Sequence, residues 1–275
     1  MIPAAFEYRR VSSADEAVAL VAEAGDEAKF LAGGHSLLPL MKLRLASPSV
    51  LIDVGRLSDL SYIRDAGDHV AIGALTRHHD VEHSSLLADA NPLLAHAAGH
   101  VGDPQVRHRG TIGGSLAHAD PASDLPATVL ALGGSLVARS VRGERVIPAA
   151  GFFTGFLESA LAPDELLVEV RVPKLDGAGW SFQKFNRRAQ DWAIVGVAAW
   201  HGAAGTGVGL VNMGSTPVLA AQVAAAVASG ASAADAAELA AADAEPQADL
   251  NASVAYRAHL AQVLVRRALV DAGVA

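Results

Sequence analysis

The sequence predicts an α+β fold, in which two α/β segments lead into an antiparallel sheet that carries helices. Three observations predict it. Helical and strand periodicities alternate through the first half of the chain, the texture changes after Pro173 to three short strands in succession, and two helical patterns close the chain. With 51% hydrophobic and 18% charged residues in 275, there is apolar material for one large or two ordinary domains, which excludes disorder and fibres. Lys and Arg number 21 against 29 Asp and Glu, so the net charge of -8 gives no general pull toward nucleic acid or acidic lipid. There is no Cys, which removes disulfides, thiolate nucleophiles and thiolate ligands for zinc or iron-sulfur clusters from this chain. The opening Ile2-Pro3-Ala4-Ala5-Phe6 lacks a basic stretch followed by an apolar one, so a cytoplasmic location is expected.

The elements follow in order. Ser12 or Ser13 caps a helix whose Ala17, Leu20 and Val21 recur at helical spacing as far as Gly25. Lys29 to Ala32 reads as a strand ended by Gly33-Gly34, Ser36 to about Arg44 as a helix, and Val50 to Val54 as a strand. His69 to Leu75 alternates as a further strand. From Thr76 to Gly102 the pattern is helical, with Asn91 as a cap and Pro92 in the first turn, and Asp124 to Leu132 forms another helix before Gly133-Gly134. Between them a long loop rich in Gly and His is expected. Trp180 to Arg187, Ala193 to Trp200 and Gly207 to Met213 predict the meander, covered by an Ala-rich helical run from Leu219 to Ala242, broken at Gly230, and by a helix from Ser253 to Ala272. A boundary is expected between Pro173 and Gly179.

Two loops carry the chemistry. Ala32-Gly33-Gly34-His35-Ser36 follows a strand and opens a helix, where backbone N–H groups can receive a diphosphate. Thr111-Ile112-Gly113-Gly114-Ser115 repeats the pattern of two glycines beside a hydroxyl residue and runs through a polar loop to Pro126. Two such cradles suggest a two-phosphate or dinucleotide ligand. Neither matches G-x-G-x-x-G after a strand, and no G-x-x-x-x-G-K-[ST] is present. Gly205-x-Gly207-x-Gly209 lies inside the meander and is expected to mark a hairpin turn.

Other polar clusters read as ordinary structure. His78, His79, His83, His96, His100, His108 and His118 resemble a metal cluster in number, and His79/His83 and His96/His100 are spaced to share a helix face. Without HExxH or Cys, solvated or locally bonded histidines are expected, and no metal site is assigned. Asp120 and Asp124 could be drawn as an acid/base pair, but a cap or a ligand hydrogen bond is the expected role.

The segment from Ala32-Gly33-Gly34-His35-Ser36 through Leu37-Leu38-Pro39-Leu40-Met41-Lys42-Leu43-Arg44, together with Thr111 through Pro126, strongly resembles the FAD-binding medium subunits of the molybdenum hydroxylases. Asp103-Pro104-Gln105-Val106-Arg107 and the block Lys184-x-x-Arg187-Arg188-Ala189-Gln190-Asp191-Trp192-Ala193-Ile194-Val195 extend the match over nearly the whole chain, nearest to the aerobic carbon monoxide dehydrogenase group. The resemblance implies a PCMH-type FAD-binding fold over 1–175, with subdomains about 1–57 and 58–175, and a flavoprotein C-terminal domain over 176–275. It implies that Ala32, Gly33, Gly34, His35 and Ser36, with Thr111, Ile112, Gly113, Gly114 and Ser115, hold the FAD diphosphate and neighbouring groups. Lys29, Asp124, Leu167 and Lys184 match further FAD-contact positions, and Trp192 stands either as a shield over the flavin or as core packing. No catalytic residue is assigned.

By the same resemblance, iron-sulfur clusters sit in a small partner subunit and the molybdenum cofactor in a large one, assembled as a dimer of heterotrimers. Electrons then pass through FAD to a quinone or another acceptor, with contact to the inner face of the membrane made through the complex. A medium subunit of a purine, N-heterocycle or aldehyde dehydrogenase is an alternative, as are a flavin-storing module, a structural subunit and a stand-alone PCMH-type flavin oxidase with FAD attached at His35. A bulky residue at Gly33 or Gly113 is expected to expel FAD because a Cβ would occupy the cofactor's space.

Overall fold

The computed structural model describes residues 2–275; Met1, with which the expected N-terminal domain begins, lies outside the described residues. Three principal sheets organise the chain. The first is built from β1 (Glu7–Arg10), α1 (Ala14–Ala24), β2 (Ala28–Leu31), α2 (Leu37–Lys42) and β3 (Val50–Asp53). Its strands are parallel in the order β1-β3-β2, with Tyr8 opposite Leu51 and Phe30 opposite Ile52. Helix α1 starts where the Ser13 hydroxyl accepts from the Glu16 N–H and buries Ala14, Ala17, Val18 and Val21 against the sheet. The crossover places the loop after β2 at the sheet's C-terminal edge, where open α/β sheets receive ligands.

The second part comprises β4 (Ile63–Asp65), β5 (His69–Gly73), α3 (His78–Glu82), α4 (Ser85–Ala90), α5 (Pro92–Gly99), α6 (Pro104–Arg107), α7 (Ile112–His118), α8 (Asp124–Ala131), β6 (Ser135–Ser140), β7 (Gly143–Pro148), the small hairpin β8 (Phe153–Gly155) and β9 (Glu158–Ser159), and β10 (Leu166–Pro173). Its five-stranded sheet runs β4-β5-β10-β6-β7, with every neighbouring pair antiparallel. The helical stretch after Thr76 is three short helices. Ser84 and Asn91 interrupt it by accepting from the N–H groups of Leu87 and Leu94, and the Asn91 amide also donates to the Pro173 carbonyl at 2.8 Å. The expected loop between Gly102 and Asp124 in fact contains α6 and α7. Asp103 and Thr111 cap them, and the cap at Thr111 offsets the poor helix propensity of Gly113-Gly114.

The last part is β11 (Gly179–Phe185), β12 (Val195–Gly202), β13 (Gly205–Val211), β14 (Val218–Leu219), α9 (Ala221–Ala228), α10 (Ala233–Ala237) and α11 (Val254–Asp271), the sheet being antiparallel in that order. Helices α9, α10 and α11 close one core, with Val197, Ala199 and Val208 packed against Leu260, Leu264 and Ala268. The opposite face lies on α5 and α8, and Phe182 and Ala198 join the core of the second sheet. Of the three spaced glycines, only Gly205 sits at the hairpin turn. Gly207 and Gly209 lie within β13, where a Cβ would land on the carbonyl oxygens of Ala131 and Ala127, so their function is to let α8 lie flush on the sheet. Among the described residues no helix is long and apolar enough to cross a membrane.

Candidate functional site

A cleft of about 990 Å³ opens where the three sheets meet, a size suited to a large organic cofactor. The loop Ala32–Ser36 forms one wall. Gly34 adopts φ +81°, which turns the chain sharply out of β2, and among the described residues no acceptor takes the backbone N–H of Gly33, Gly34, His35 or Ser36. Successive free amides on a turn form a concave donor surface for an anion. Lys29, exposed on β2, adds a positive charge at the same wall.

The second loop is different. Arg77 and Thr111 form an isolated β-bridge, and the His78 N–H donates to the Gly110 carbonyl at 3.1 Å. Ile112 N–H is given to Thr76 O at 3.0 Å and Gly113 N–H to Ala74 O at 2.9 Å. Gly114 N–H is held by the Thr111 hydroxyl at 3.1 Å and Ser115 N–H by the Thr111 carbonyl at 3.1 Å. Four of its amides are therefore spent within the fold and, among the described residues, only the Thr111 N–H is left without an acceptor, which narrows the expectation that both loops offer backbone donors. The Ile112 side chain is fully buried in the core and does not line the cleft. What this loop does present is the Ser115 hydroxyl, 3.2 Å from His78 Nε2.

The glycines also act differently from expectation. A Cβ at Gly33 would strike the Arg109 carbonyl oxygen, and one at Gly113 would lie 2.5 Å from the Ala74 Cβ. Both are required by the packing of the protein on itself. At Gly114 a Cβ would meet only the Thr111 hydroxyl, at 2.7 Å, so this glycine can be altered without moving backbone.

The third wall joins α8 to the last sheet. Asp124, 5% exposed, accepts from Lys184 Nζ of β11 at 2.8 Å, and that ammonium also donates to the His100 carbonyl at 2.8 Å. Asp124 Oδ1 is buried without a partner. Burial pushes the Asp124 carboxyl above the usual carboxylate range, against the opposing pull of Lys184 and His100. Leu167, buried on β10, supplies an apolar surface, while Trp192 stands at the rim beside Gln190 and Asp191 and is 58% exposed, which removes core packing as its role. Asp120 does not pair with Asp124; its carboxylate accepts from the Ala122 N–H at 2.9 Å and closes a turn.

The other histidines divide. His83 and His100 bond through Nδ1 to the carbonyls of His79 and His96, one helical turn back. His79, Glu82 and His83 could bring ligand atoms within 4.8 Å of one another, yet Glu82 is already held by the Arg107 guanidinium at 2.7 Å. His78 is neither solvated nor locally bonded: it is 2% exposed and lines the cleft. Nothing in the local sequence separates it from His79 beside it, and only the pairing of residues 77–78 with 110–111 brings it to the second loop.

A cleft with free amides on one loop, a hydroxyl on the other and an unpaired buried carboxylate oxygen defines a site for a phosphate-bearing organic cofactor. Residues 4–175 match the family described as the FAD binding domain in molybdopterin dehydrogenase, and residues 180–272 match the CO dehydrogenase flavoprotein C-terminal domain. The chain belongs to this family of FAD-binding oxidoreductase components. It is 42% identical to the carbon monoxide dehydrogenase medium chain of Hydrogenophaga pseudoflava over 98% of this chain and 97% of that one. It is 36% identical to the nicotine 6-hydroxylase medium subunit of Paenarthrobacter nicotinovorans, covering 98% of each. Among solved structures, the carbon monoxide dehydrogenase from Hydrogenophaga pseudoflava lacking the Mo-pyranopterin moiety of its cofactor superposes with a TM-score of 0.94 at 42% identity, covering 99% of this chain and 98% of that one. Quinoline 2-oxidoreductase from Pseudomonas putida 86 gives 0.92 at 32% identity, with coverages of 99% and 98%.

Proposed function

We propose that this chain is the electron-transfer flavoprotein subunit of a molybdenum hydroxylase complex, taking electrons from iron-sulfur clusters in a small partner subunit and passing them to a quinone or similar acceptor. Bound FAD exchanges electrons singly or in pairs, which suits that junction. The observation that carries the reading is the cleft itself, which offers donors for a diphosphate and a buried unpaired carboxylate oxygen within a chain that has no Cys to ligate a cluster. The clusters then belong to the small subunit and the molybdenum chemistry to a large one. Near-full-length likeness to proteins named for carbon monoxide, nicotine and quinoline supports a substrate chosen outside this chain.

Within the cleft, the amides of Gly33 to Ser36 bind the diphosphate, Ser115 adds a hydroxyl, and Lys29 supplies a compensating charge. Asp124 Oδ1 accepts from a donor group of the cofactor. Leu167 and Trp192 exclude water from the ring system. Residues 1–175 form the FAD-binding domain, with subdomains of about 1–57 and 58–175, and 176–275 form the second domain that contributes Lys184 and Trp192. The complex is a dimer of heterotrimers in the cytoplasm, reaching the inner membrane face through its assembly.

The test is stepwise reconstitution under anaerobic conditions. The isolated chain binds one FAD and reduces no dye with carbon monoxide, purines or aldehydes. Adding the iron-sulfur subunit restores electron exchange with the flavin, and turnover returns only when the large subunit is also present. Flavin bleaching by any of these substrates in the isolated chain would replace this reading with a self-sufficient flavoenzyme.

A further inference from the structure

We propose that His78 is a positioning residue for FAD: its neutral imidazole donates Nε2–H to Ser115 Oγ, which leaves the serine's own hydrogen free to reach a phosphate oxygen. This rests on the FAD reading of the cleft. The geometry is a clamp. His78 is 2% exposed, its backbone N–H holds Gly110 at 3.1 Å, and its ring nitrogen stands 3.2 Å from the Ser115 hydroxyl, so one residue grips both sides of the second loop.

The direction of the ring hydrogen bond follows from which buried atoms have partners. His78 Nδ1 is buried and unpartnered. A bare lone pair there costs less than an N–H with no acceptor, so the proton belongs on Nε2. A doubly protonated ring would also place an orphaned donor at Nδ1 and a buried charge near His35, Arg107 and Arg77; burial and these neighbours drive the His78 pKa down to about 4.

The consequence falls on Ser115. Were the serine the donor to His78, only its lone pairs would face the cofactor, and they would repel phosphate. As the acceptor from His78, it turns its hydrogen outward. This matters because the amides of Ile112, Gly113, Gly114 and Ser115 are already given to Thr76, Ala74 and Thr111, so beyond the Thr111 N–H the Ser115 hydroxyl is the donor this loop has to offer an anion.

The experiment is a titration of the full chain, stripped of flavin, with FAD, followed by flavin fluorescence. His78→Leu and Ser115→Ala each weaken binding about tenfold, the loss of roughly one charge-assisted hydrogen bond. The double variant is no weaker than either single one, because each change disables the same contact. His78→Gln, which keeps a neutral N–H donor, stays within about threefold of the unaltered chain. Losses that multiply to about a hundredfold in the double variant would overturn the proposal, as would His78→Gln falling with His78→Leu.

A second measurement needs no variant. Nitrogen NMR of the imidazoles in the unaltered chain places the His78 proton on Nε2 at neutral pH, and a proton found on Nδ1 would overturn the proposal. An unaltered chain that bound no FAD would overturn the cofactor reading itself. An unaltered chain that bound FAD while the variants behaved independently would overturn the role of His78 alone.

Discussion

Replacing Lys184 by Met should destabilise the FAD-free chain by an amount that depends on pH in a defined direction. Asp124 and Lys184 are 6% and 7% exposed at their side chains, and the ammonium is the partner of Oδ2 while Oδ1 has none. Removing one member of such a pair costs about 3–5 kcal/mol. Neutralisation sets a ceiling, since the chain can always protonate the carboxyl instead. From the ordinary value of 3.8, protonation at pH 7 spans roughly 3.2 pH units at about 1.4 kcal/mol each, about 4.4 kcal/mol in all, and at pH 5 only about 1.6 kcal/mol.

The sign follows from linkage. Burial already raises the Asp124 pKa above its unfolded value, and the variant raises it further, so the folded state binds more protons than the unfolded one between those values. Its stability is therefore present below the unfolded pKa and is lost as pH rises toward the folded one. Lys184→Met should lose about 3–4 kcal/mol at pH 7 and about 1–2 kcal/mol at pH 5. Guanidinium unfolding followed by circular dichroism across pH 5 to 9 measures the slope. Equal losses at pH 5 and pH 7 in Lys184→Met would refute the argument.

Gly114→Ala should keep the fold and weaken FAD about tenfold by disturbing the Thr111 cap beside Ser115, whereas Gly33→Ala should lose about 1–3 kcal/mol of stability as well, because its Cβ meets backbone. Thermal melts and FAD titration separate the two effects, and full flavin retention in both variants would remove these loops from the site. FAD should be held without a covalent bond at His35, so acid precipitation should leave the flavin in the supernatant; yellow colour in the washed pellet would favour the oxidase alternative.

Much of the fold was legible where the signal is local. Ser13 and Gly25 bracket α1, Ser253 opens α11, and the meander appears as three β-rich runs with short turns. The strands β6, β7 and β10 carried no such signal, because they are set by pairing with one another and with β5 across the chain. Strand β10 also mixes charge into its apolar run. Its buried Glu169 is tolerated only because Tyr62 and Arg64 converge on it from elsewhere and join Arg171 of the same strand. Helix α7 was hidden by its glycine pair, which local propensity reads as a turn and a tertiary cap turns into a helix.

The site divides along the same line. Glycine loops announce themselves, and they do border the cleft. Which of their amides are free is a tertiary fact: those of Ile112 and Gly113 in the second loop are taken by Thr76 and Ala74 just after β5, a partnership no local pattern encodes. Leu167 owes its place on the cleft wall to the path of β10, and the pairing of Lys184 with Asp124 reaches across 60 residues.

The flush seat of α8 on β13 limits how anything enters the cleft. Carbonyl oxygens of Ala127 and Ala131 touch Gly207 and Gly209 with no space for a methyl group, and the Trp200 indole N–H donates to the Ala131 carbonyl at 2.7 Å. Helix and sheet thus have no clearance to slide, and parting them would strand that carbonyl and the buried ion pair at the head of the same helix. A hinge at this seam is closed to the molecule. The cleft's open side is the rim, where Trp192 stands 58% exposed, while the wall built by α8 and β13 is fixed.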